Sequence, residues 1–291
     1  MQIARKRSVS DIARGFFLLS HPLPTTLFVT TVALFSIRAL WPHLVWSVIL
    51  LLILGHAAMQ CSINMMNDYC DRFRDAVSQP TKPVVRGLVR PREAFVVALV
   101  MGILMVLLLL PLPPLALLVS FGYLALGQAY NLGLKSSVFS GLILALMFAL
   151  IPLYVFAGVG NLAPIAFWLV PVAFLMGAAL NLANSLPDIE GDTRNGARTL
   201  TVALGLRRSF LLCYALIILA ALLIGTLTVT HTIVSRAWIT YSLLALTAIA
   251  LLGMSLVSGP NRPASTRKTY YYIVAVTCLV LAFGWFLSVM A

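Results

Sequence analysis

The chain is a series of long apolar segments separated by short polar connections. Each apolar segment is close to the ~20 residues that a helix needs to cross the hydrocarbon core of a bilayer. Their approximate bounds are 15–37, 44–66, 94–112, 114–131, 138–158, 163–186, 209–229, 237–257 and 269–290. The pattern predicts an all-α, polytopic membrane protein with nine transmembrane helices.

The composition agrees with a membrane protein. Of the 291 residues, 61% are hydrophobic and 10% are charged, whereas roughly a quarter of residues are charged in soluble domains. The net charge of +12 raises the question of a nucleic-acid partner, but no basic helix or aromatic platform stands apart from the apolar segments, so we expect none. The four cysteines lack a C-x-x-C spacing and are interpreted as packing residues.

The distribution of positive charge predicts the topology. If the amino terminus is cytoplasmic, every one of the 20 Lys and Arg residues except Arg38 and Arg236 falls in a segment on the cytoplasmic side. Arg5, Lys6 and Arg7 then belong to a cytoplasmic leader, because no small-residue cleavage site follows them. An odd number of spans places the two termini on opposite sides of the membrane.

Two polar stretches interrupt this pattern, at Asn64–Asp75 and Asn181–Asp192. Together they hold all but two of the chain's 8 acidic residues. Both contain N-x-x-N-x-x-x-D-x-x-x-D, repeated at a constant offset. The repetition predicts a single domain with an internal repeat of about four helices, whose motif-bearing loops are 67–93 and 184–208. Parallel halves related about the membrane normal are expected from such a repeat.

Each stretch predicts one polar face of a helix, since residues three or four apart share a face. The first face consists of Asn64, Asn67, Asp68, Asp71 and Asp75. The second consists of Asn181, Asn184, Asp188 and Asp192, and Pro187 is expected to loosen the helix there.

Crowded carboxylates repel one another unless they share protons or a cation. Hard oxygen ligands on successive turns suit Mg²⁺, which takes one or two carboxylates together with substrate phosphates. Two such faces, turned towards each other, would hold a diphosphate through bridging metal ions. Helix capping and interfacial solvation are the alternative explanation for the acids.

Several other polar residues have two interpretations. Lys82, Arg86 and Arg198 lie in the loops after the acidic stretches, where they could bind phosphate oxygens or only set topology. Tyr130 and Lys135 could contact a ligand or anchor the helix at the interface. Asn64 and Asn181 could bind substrate or join helices, and His21 is interpreted as a packing histidine of a kinked helix rather than a base.

The motifs resemble those of the UbiA superfamily of intramembrane prenyltransferases. The resemblance rests on N-D-x-x-D-x-x-x-D at Asn67–Asp75, D-x-x-x-D at Asp188–Asp192, and G-x-R-T-L at Gly196–Leu200. The T-K-P-V-V-R-G run at Thr81–Gly87 is similar to that family's basic loop. The segment Tyr130–Lys135 is similar to the family's tyrosine–lysine segment.

The resemblance implies a helical bundle around a central cavity, Mg²⁺, an isoprenyl diphosphate, and transfer of the prenyl group to a lipophilic, aromatic acceptor in a bacterial plasma membrane. The implied metal ligands are Asn67, Asp68, Asp71, Asp75, Asp188 and Asp192. The implied catalytic residues are Asp71, Asp188 and Asp192. The implied substrate-binding residues are Asn64, Asn67, Lys82, Arg86, Tyr130, Lys135, Asn184 and Arg198.

One position departs from the family pattern. His21-Pro22 stands where many members with aromatic acceptors have Arg-Pro. The missing fixed cation argues against a carboxylate-bearing benzoate as acceptor. The sequence leaves two alternative functions open: an intramembrane terpene cyclase of the same superfamily, and a non-catalytic lipid-binding protein or transporter.

Overall fold

The computed structural model describes residues 7–194, 196–259 and 262–289, so Arg5 and Lys6 of the predicted leader lie outside the described residues. Within those ranges the regular secondary structure is helical, apart from one isolated bridge between Ser235 and Val289. The predicted all-α class is confirmed. The helices fall into two compact units.

The first unit runs to Leu132 and includes Tyr154–Asn161. Its helices are α1 Val9–Leu19, α2 Pro22–Ala39, α3 Trp46–Ser78, α4 Pro91–Leu109 and α5 Pro114–Asn131. Helix α3 packs against α2, α4 and α5. It is therefore the central helix of this unit.

The second unit comprises Gly133–Leu153 and the chain from Leu162 onwards. Its helices are α6 Ser140–Gly158, whose last residues belong to the first unit, α7 Pro164–Ser185, α8 Ile189–Arg194, α9 Leu200–Val229, α10 Ala237–Val257 and α11 Ala264–Ser288. Two short 3₁₀ turns lie at Leu134–Ser136 and Leu186–Asp188. Helix α7 packs against α9 and α11, and α10 packs against α11.

Local sequence explains where many helices begin. Pro22, Pro91, Pro114 and Pro164 occupy the first turn of their helices, where the absent proline N–H costs no hydrogen bond. Ser8 begins α1 with a capping box: its side chain accepts from the Asp11 N–H, and the Asp11 carboxylate accepts from the Ser8 N–H.

Three helices differ in extent from the apolar segments that predicted them. The first segment divides into α1 and α2 at Ser20–His21, where His21 adopts a left-handed conformation with φ of 49°. The second continues to Ser78, because the helical periodicity persists through the polar stretch. The seventh begins at Leu200, and Gly205, with φ of 73°, interrupts it.

Eight described helical spans are long and apolar enough to cross a membrane. The predicted fourth span, α5, is not among them. Its last turn carries Gln128, Tyr130 and Asn131, and these polar groups lower its mean hydropathy. The count of nine spans and the orientation in the membrane therefore stay predictions.

An apolar cluster fixes the polar end of α3. Leu19 of α1, Met65 of α3, Val89 of the following loop and Ala94 of α4 are buried together. Gly15 of α1 lies so close to this loop that an added Cβ would come within 2.7 Å of the Val89 side chain. The loop after α3 is thus held by packing against α1 and against the start of α4.

Candidate functional site

The first acidic set lies on the last three turns of α3. Asp68, Asp71 and Asp75 are 2%, 7% and 1% exposed. The prediction that they share one helical stripe is confirmed by the continuous helix to Ser78. Because an isolated buried carboxylate is costly, each of these groups requires a hydrogen-bond donor or a counter-charge.

Lys82 supplies that counter-charge to two of the three carboxylates. Its ammonium group donates to Asp68 Oδ1 at 2.9 Å and to Asp75 Oδ2 at 2.8 Å. Burial alone would lower the pKa of Lys82, but its hydrogen bonds to Asp75 and Asp68 outweigh that cost and the pKa is raised. The lysine therefore stays charged between the two acids.

His21 and Arg74 also contact carboxylates of this set. His21 Nε2 lies 3.3 Å from Asp68 Oδ1, so the interpretation of His21 as a packing residue omitted a direct contact with the site. Arg74 Nη2 donates to Asp71 Oδ2 at 3.1 Å. Asp75 Oδ1 is buried and has no hydrogen-bond partner among the described residues.

The two asparagines of this stripe make helix–helix contacts. Asn64 Nδ2 donates to the Ser20 carbonyl oxygen and to Thr25 Oγ1, both at 2.9 Å. Asn67 Nδ2 donates to Asn131 Oδ1 at 3.0 Å. The joining role considered for Asn64 is therefore observed: it holds the break between α1 and α2 against α3. Substrate binding by Asn64 and Asn67 stays a prediction.

The second acidic set has a different local structure. Helix α7 ends at Ser185, the chain passes through the 3₁₀ turn Leu186–Asp188, and α8 begins at Ile189. The predicted loosening at Pro187 is confirmed. Asn181 is buried, Asp192 is half-buried, and Asn184 and Asp188 are exposed.

An ion pair that the sequence did not predict holds this segment in place. Arg267 of α11 is 5% exposed, and its Nη1 donates to Glu190 Oε1 and Oε2, both at 2.7 Å. The same nitrogen lies 3.4 Å from the Leu186 carbonyl oxygen. The sequence assigns Arg267 only to topology, because its spacing gives no sign of a partner on another helix.

The G-x-R-T-L motif forms the connection from α8 to α9. Gly196 has φ of 71°, a left-handed conformation that favours glycine. The Ala197 N–H donates to the Asp192 carbonyl at 2.9 Å, and Thr199 caps α9 by accepting from the Val202 N–H. The Arg198 N–H donates to the Ser136 carbonyl at 2.9 Å. This bond brings the loop of Arg198 next to the turn of Lys135.

The structure thus assembles each predicted set within its own unit. Asp68, Asp75 and Lys82 are in contact in the first unit, with Asp71 on the intervening turn. Arg86 is exposed in the same loop, and Tyr130 is half-buried near the end of α5. In the second unit, the connections containing Asp192, Arg198 and Lys135 are joined through backbone hydrogen bonds, and the Arg198 side chain is exposed.

The first set fits a hard divalent cation by its chemistry. Its donors are carboxylate oxygens, and Asp75 Oδ1 is a buried acceptor that lacks a partner among the described residues. In the described residues, no three His, Cys, Asp or Glu side chains form a group that could hold a metal by themselves. Mg²⁺ commonly takes only one or two carboxylates and completes its coordination with water and phosphate, and the carboxylate pair of Asp68 and Asp75 is compatible with that preference.

The family of the chain follows from its sequence. Residues 26–287 match the profile of the UbiA prenyltransferase family. The chain belongs to this family. It is an integral multi-pass membrane protein, as the apolar helices of this UbiA member also indicate.

Two curated relatives are similar to this UbiA chain. It is 36% identical over 147 residues to digeranylgeranylglyceryl phosphate synthase of Pyrococcus abyssi, a match that covers 50% of this chain and 53% of the relative. The match therefore spans about half the length of that protein. The chain is 27% identical over 223 residues to 4-hydroxybenzoate octaprenyltransferase of Herminiimonas arsenicoxydans, covering 75% of this chain and 76% of the relative.

A solved structure confirms the fold. A UbiA homologue from Archaeoglobus fulgidus, bound to GPP and Mg²⁺, superposes with a TM-score of 0.72 at 18% identity. The superposition covers 94% of this chain and 99% of that chain. The helical architecture is therefore that of a UbiA membrane protein.

Proposed function

We propose that this UbiA member is an enzyme, a prenyltransferase that uses Mg²⁺ to ionise an isoprenyl diphosphate and transfers the prenyl group to a lipophilic acceptor. The observation that carries the proposal is the buried carboxylate pair of Asp68 and Asp75, held at the end of a membrane helix by one lysine. Ionisable groups at such positions are costly and are retained for function. Family membership and the GPP and Mg²⁺ bound by the Archaeoglobus homologue support the same chemistry.

The residues that would hold Mg²⁺ are the oxygen donors of the two motifs. They are Asn67, Asp68, Asp71, Asp75, Asp188 and Asp192. Bound Mg²⁺ would neutralise the charge that develops on the leaving diphosphate. Asp75 Oδ1 has no hydrogen-bond partner among the described residues, so it is the strongest candidate for a metal ligand in the first set. Asp188 is exposed to solvent, whereas the carboxylates of the first set are buried.

Basic and polar side chains would bind the phosphate oxygens that the metal leaves unpaired. Charge-assisted hydrogen bonds from Lys and Arg suit this task. In the first unit the candidates are Lys82, Arg86 and Tyr130, with Asn64 and Asn67 nearby on α3. In the second they are Lys135, Asn184 and Arg198. Arg86 and Arg198 are exposed, so both can reach a ligand without breaking a packed contact.

The apolar helices would protect the reaction from water. Ionisation of the allylic C–O bond leaves a cation that water captures readily, and an apolar enclosure prevents that side reaction. The acceptor carbon then forms the new C–C bond, and its displaced proton passes to a carboxylate or to the released diphosphate. Asp71, Asp188 and Asp192 are the proposed catalytic carboxylates.

The proposal extends to location and architecture. We propose a bacterial plasma membrane as the location, and the asymmetry of Lys and Arg supports an orientation with the amino terminus and both motifs on the cytoplasmic side. The shared N-x-x-N-x-x-x-D-x-x-x-D pattern, one copy in each compact unit, supports an internal repeat within one UbiA domain, with motif loops 67–93 and 184–208.

The deciding experiment is product analysis with purified protein. The protein is incubated with Mg²⁺, isoprenyl diphosphates of several lengths and a panel of lipophilic acceptors, and products are identified by mass. We expect Mg²⁺-dependent formation of a prenylated acceptor, abolished by chelation and by Asp71→Ala. A cyclic hydrocarbon or alcohol formed without acceptor would instead identify a terpene cyclase. Tight diphosphate binding without turnover would identify a binding protein or transporter.

A further inference from the structure

Lys82 occupies the position where a cation is expected in the first acidic set. Its ammonium nitrogen lies 2.9 Å from Asp68 Oδ1 and 2.8 Å from Asp75 Oδ2. One positive group therefore bridges two carboxylates that lie seven residues apart on α3. A divalent cation bound by the same two oxygens would compete directly with this ammonium group.

Among the residues that the structure describes, no second positive group contacts Asp75. Asp68 has a second contact with His21, at 3.3 Å, whereas Lys82 is the side-chain partner of Asp75 Oδ2 within the described part of the chain. Asp75 is 1% exposed and its Oδ1 lacks a partner among the described residues. Removing Lys82 without supplying another cation would leave this carboxylate buried and unneutralised, which is strongly unfavourable.

Lys82 is also placed so that its ammonium group can move. The residue lies in the loop between α3 and α4, and its side chain is 17% exposed. The backbone on either side is anchored: Pro83 and Val84 are buried, and the Lys82 N–H donates to the Gln79 carbonyl. A flexible four-carbon stem on a fixed backbone lets the charge relocate by several ångströms without unfolding the loop.

We infer that Lys82 is a tethered counter-ion that neutralises Asp68 and Asp75 in the metal-free protein and is displaced from them when Mg²⁺ binds. The inference rests on the proposed function for the identity of the metal. It adds that metal and lysine exclude each other at this carboxylate pair. The released ammonium group then becomes available to phosphate oxygens. Binding of the metal and release of Lys82 towards the diphosphate are therefore coupled.

The first test compares metal binding by Lys82→Gln with that of the unchanged protein. Without its competitor, the variant should bind Mg²⁺ at least about tenfold more tightly, since truncating one member of a buried charge pair exposes the full cost of the other. Its melting temperature should fall in chelator and recover with Mg²⁺. Arg92→Gln removes an equal charge from the exposed start of α4 and should behave as the unchanged protein. Equal Mg²⁺ affinity in all three proteins would overturn the inference.

A second test needs no variant and applies even if Lys82→Gln does not fold. Lysines of the unchanged protein are acetylated in chelator and in increasing MgCl₂ at constant ionic strength, and the modified peptides are quantified by mass. Lys82 should react more rapidly, relative to exposed Lys268, as Mg²⁺ rises. A constant ratio up to the highest Mg²⁺ concentration would contradict displacement.

The outcomes separate this inference from the proposed function. If the unchanged protein forms prenylated products but Lys82→Gln shows no gain in Mg²⁺ affinity, only the counter-ion role fails. If Lys82→Gln binds Mg²⁺ as expected while no diphosphate is consumed under any condition, the counter-ion role stands and the prenyltransferase assignment fails.

Discussion

At the scale of single residues, the two acidic sets differ in burial although their sequences share one pattern. Asp75 is 1% exposed and pairs with Lys82, whereas Asp188 is exposed at the end of a 3₁₀ turn. The sequence pattern gives the two aspartates the same proposed role. Their surroundings predict that replacing them will have different effects on stability.

Asp188→Asn should remove activity without weakening the fold. The substitution keeps the size of the side chain but removes the charge proposed to hold Mg²⁺, and we expect product formation to fall about 100-fold or more. An exposed substitution typically changes the free energy of unfolding by no more than ~0.5 kcal/mol, so the melting temperature in detergent should be unchanged. Retention of full activity would remove Asp188 from the metal site.

Asp75→Asn makes the same change as Asp188→Asn, but at a buried position. It should lower activity as well, but it also removes one carboxylate from the buried pair and leaves Lys82 with Asp68 alone among its ion-pair partners. We expect a loss of about 1–3 kcal/mol in the free energy of unfolding. A melting temperature equal to that of Asp188→Asn would show that burial does not distinguish the two positions.

His21 combines a strained backbone with a contact to the site. Its φ of 49° lies in the left-handed region, which costs an L-residue other than glycine about 1–2 kcal/mol. Since His21→Ala and His21→Gly both lose the contact with Asp68, their difference reports the backbone alone. We expect His21→Gly to be the more stable of the two by about 1 kcal/mol, measured by thermal unfolding. Equal stability would indicate that the break between α1 and α2 relaxes.

At the scale of elements, the segment Leu186–Arg194 depends on a partner from a distant part of the chain. The Glu190 side chain is 52% exposed, but Arg267, which binds it, is 5% exposed. This asymmetry predicts unequal effects of removing either member. Loss of the acid leaves a buried guanidinium without its counter-charge, whereas loss of the arginine leaves an acid that water can solvate.

We therefore expect Glu190→Ala to destabilise the protein more than Arg267→Met, by about 3 kcal/mol if the buried charge stays in place. The methionine fills much of the space of the arginine stem and carries no charge. Thermal unfolding measures the order of stability of the two variants. Hydrogen exchange in residues 186–194 should increase in both. The reverse order of stability would mean that Arg267 acts through packing rather than charge.

The elements themselves could be largely predicted, because apolar length and proline position are local properties. The helix through Asn64–Asp75 and the break at Pro187 both follow from spacing. A kink at His21 is expected from the sequence, but the contacts of Asn64 with Ser20 and Thr25 beside it could not be predicted. Contacts of that kind join residues far apart in the sequence and leave no periodic signal.

At the scale of the whole molecule, the sequence predicted the UbiA architecture and the two acidic sets, but not how the charges are neutralised. The sequence pattern divides the basic residues between topology and phosphate binding. Arg267 instead forms an ion pair inside the second unit, and Arg7 donates to Glu93 at 2.6 and 2.7 Å in the first. A charge near a membrane surface satisfies the topology rule wherever its side chain points, so the rule cannot reveal its partner.

The number of membrane crossings depends on α5. Its 18 residues span about 27 Å as a helix, close to the ~30 Å of the hydrocarbon core, yet it is less apolar than the eight candidate spans. If α5 did not cross, every later connection would change sides. Arg194, Arg198, Arg207 and Arg208 would then face outwards, contrary to the positive-inside rule. The charge pattern therefore predicts that α5 crosses.

Single cysteines can test this crossing in intact cells. In a cysteine-free background, Val138→Cys follows α5 and Val234→Cys lies between α9 and α10; both valines are exposed. Nine spans with a cytoplasmic amino terminus predict that an impermeant maleimide labels the cysteine at position 234 and not the one at 138. After permeabilisation both should react, which controls for local accessibility. Labelling of position 138 alone would mean that α5 stays on one side, and the repeat of four crossing helices would then be wrong.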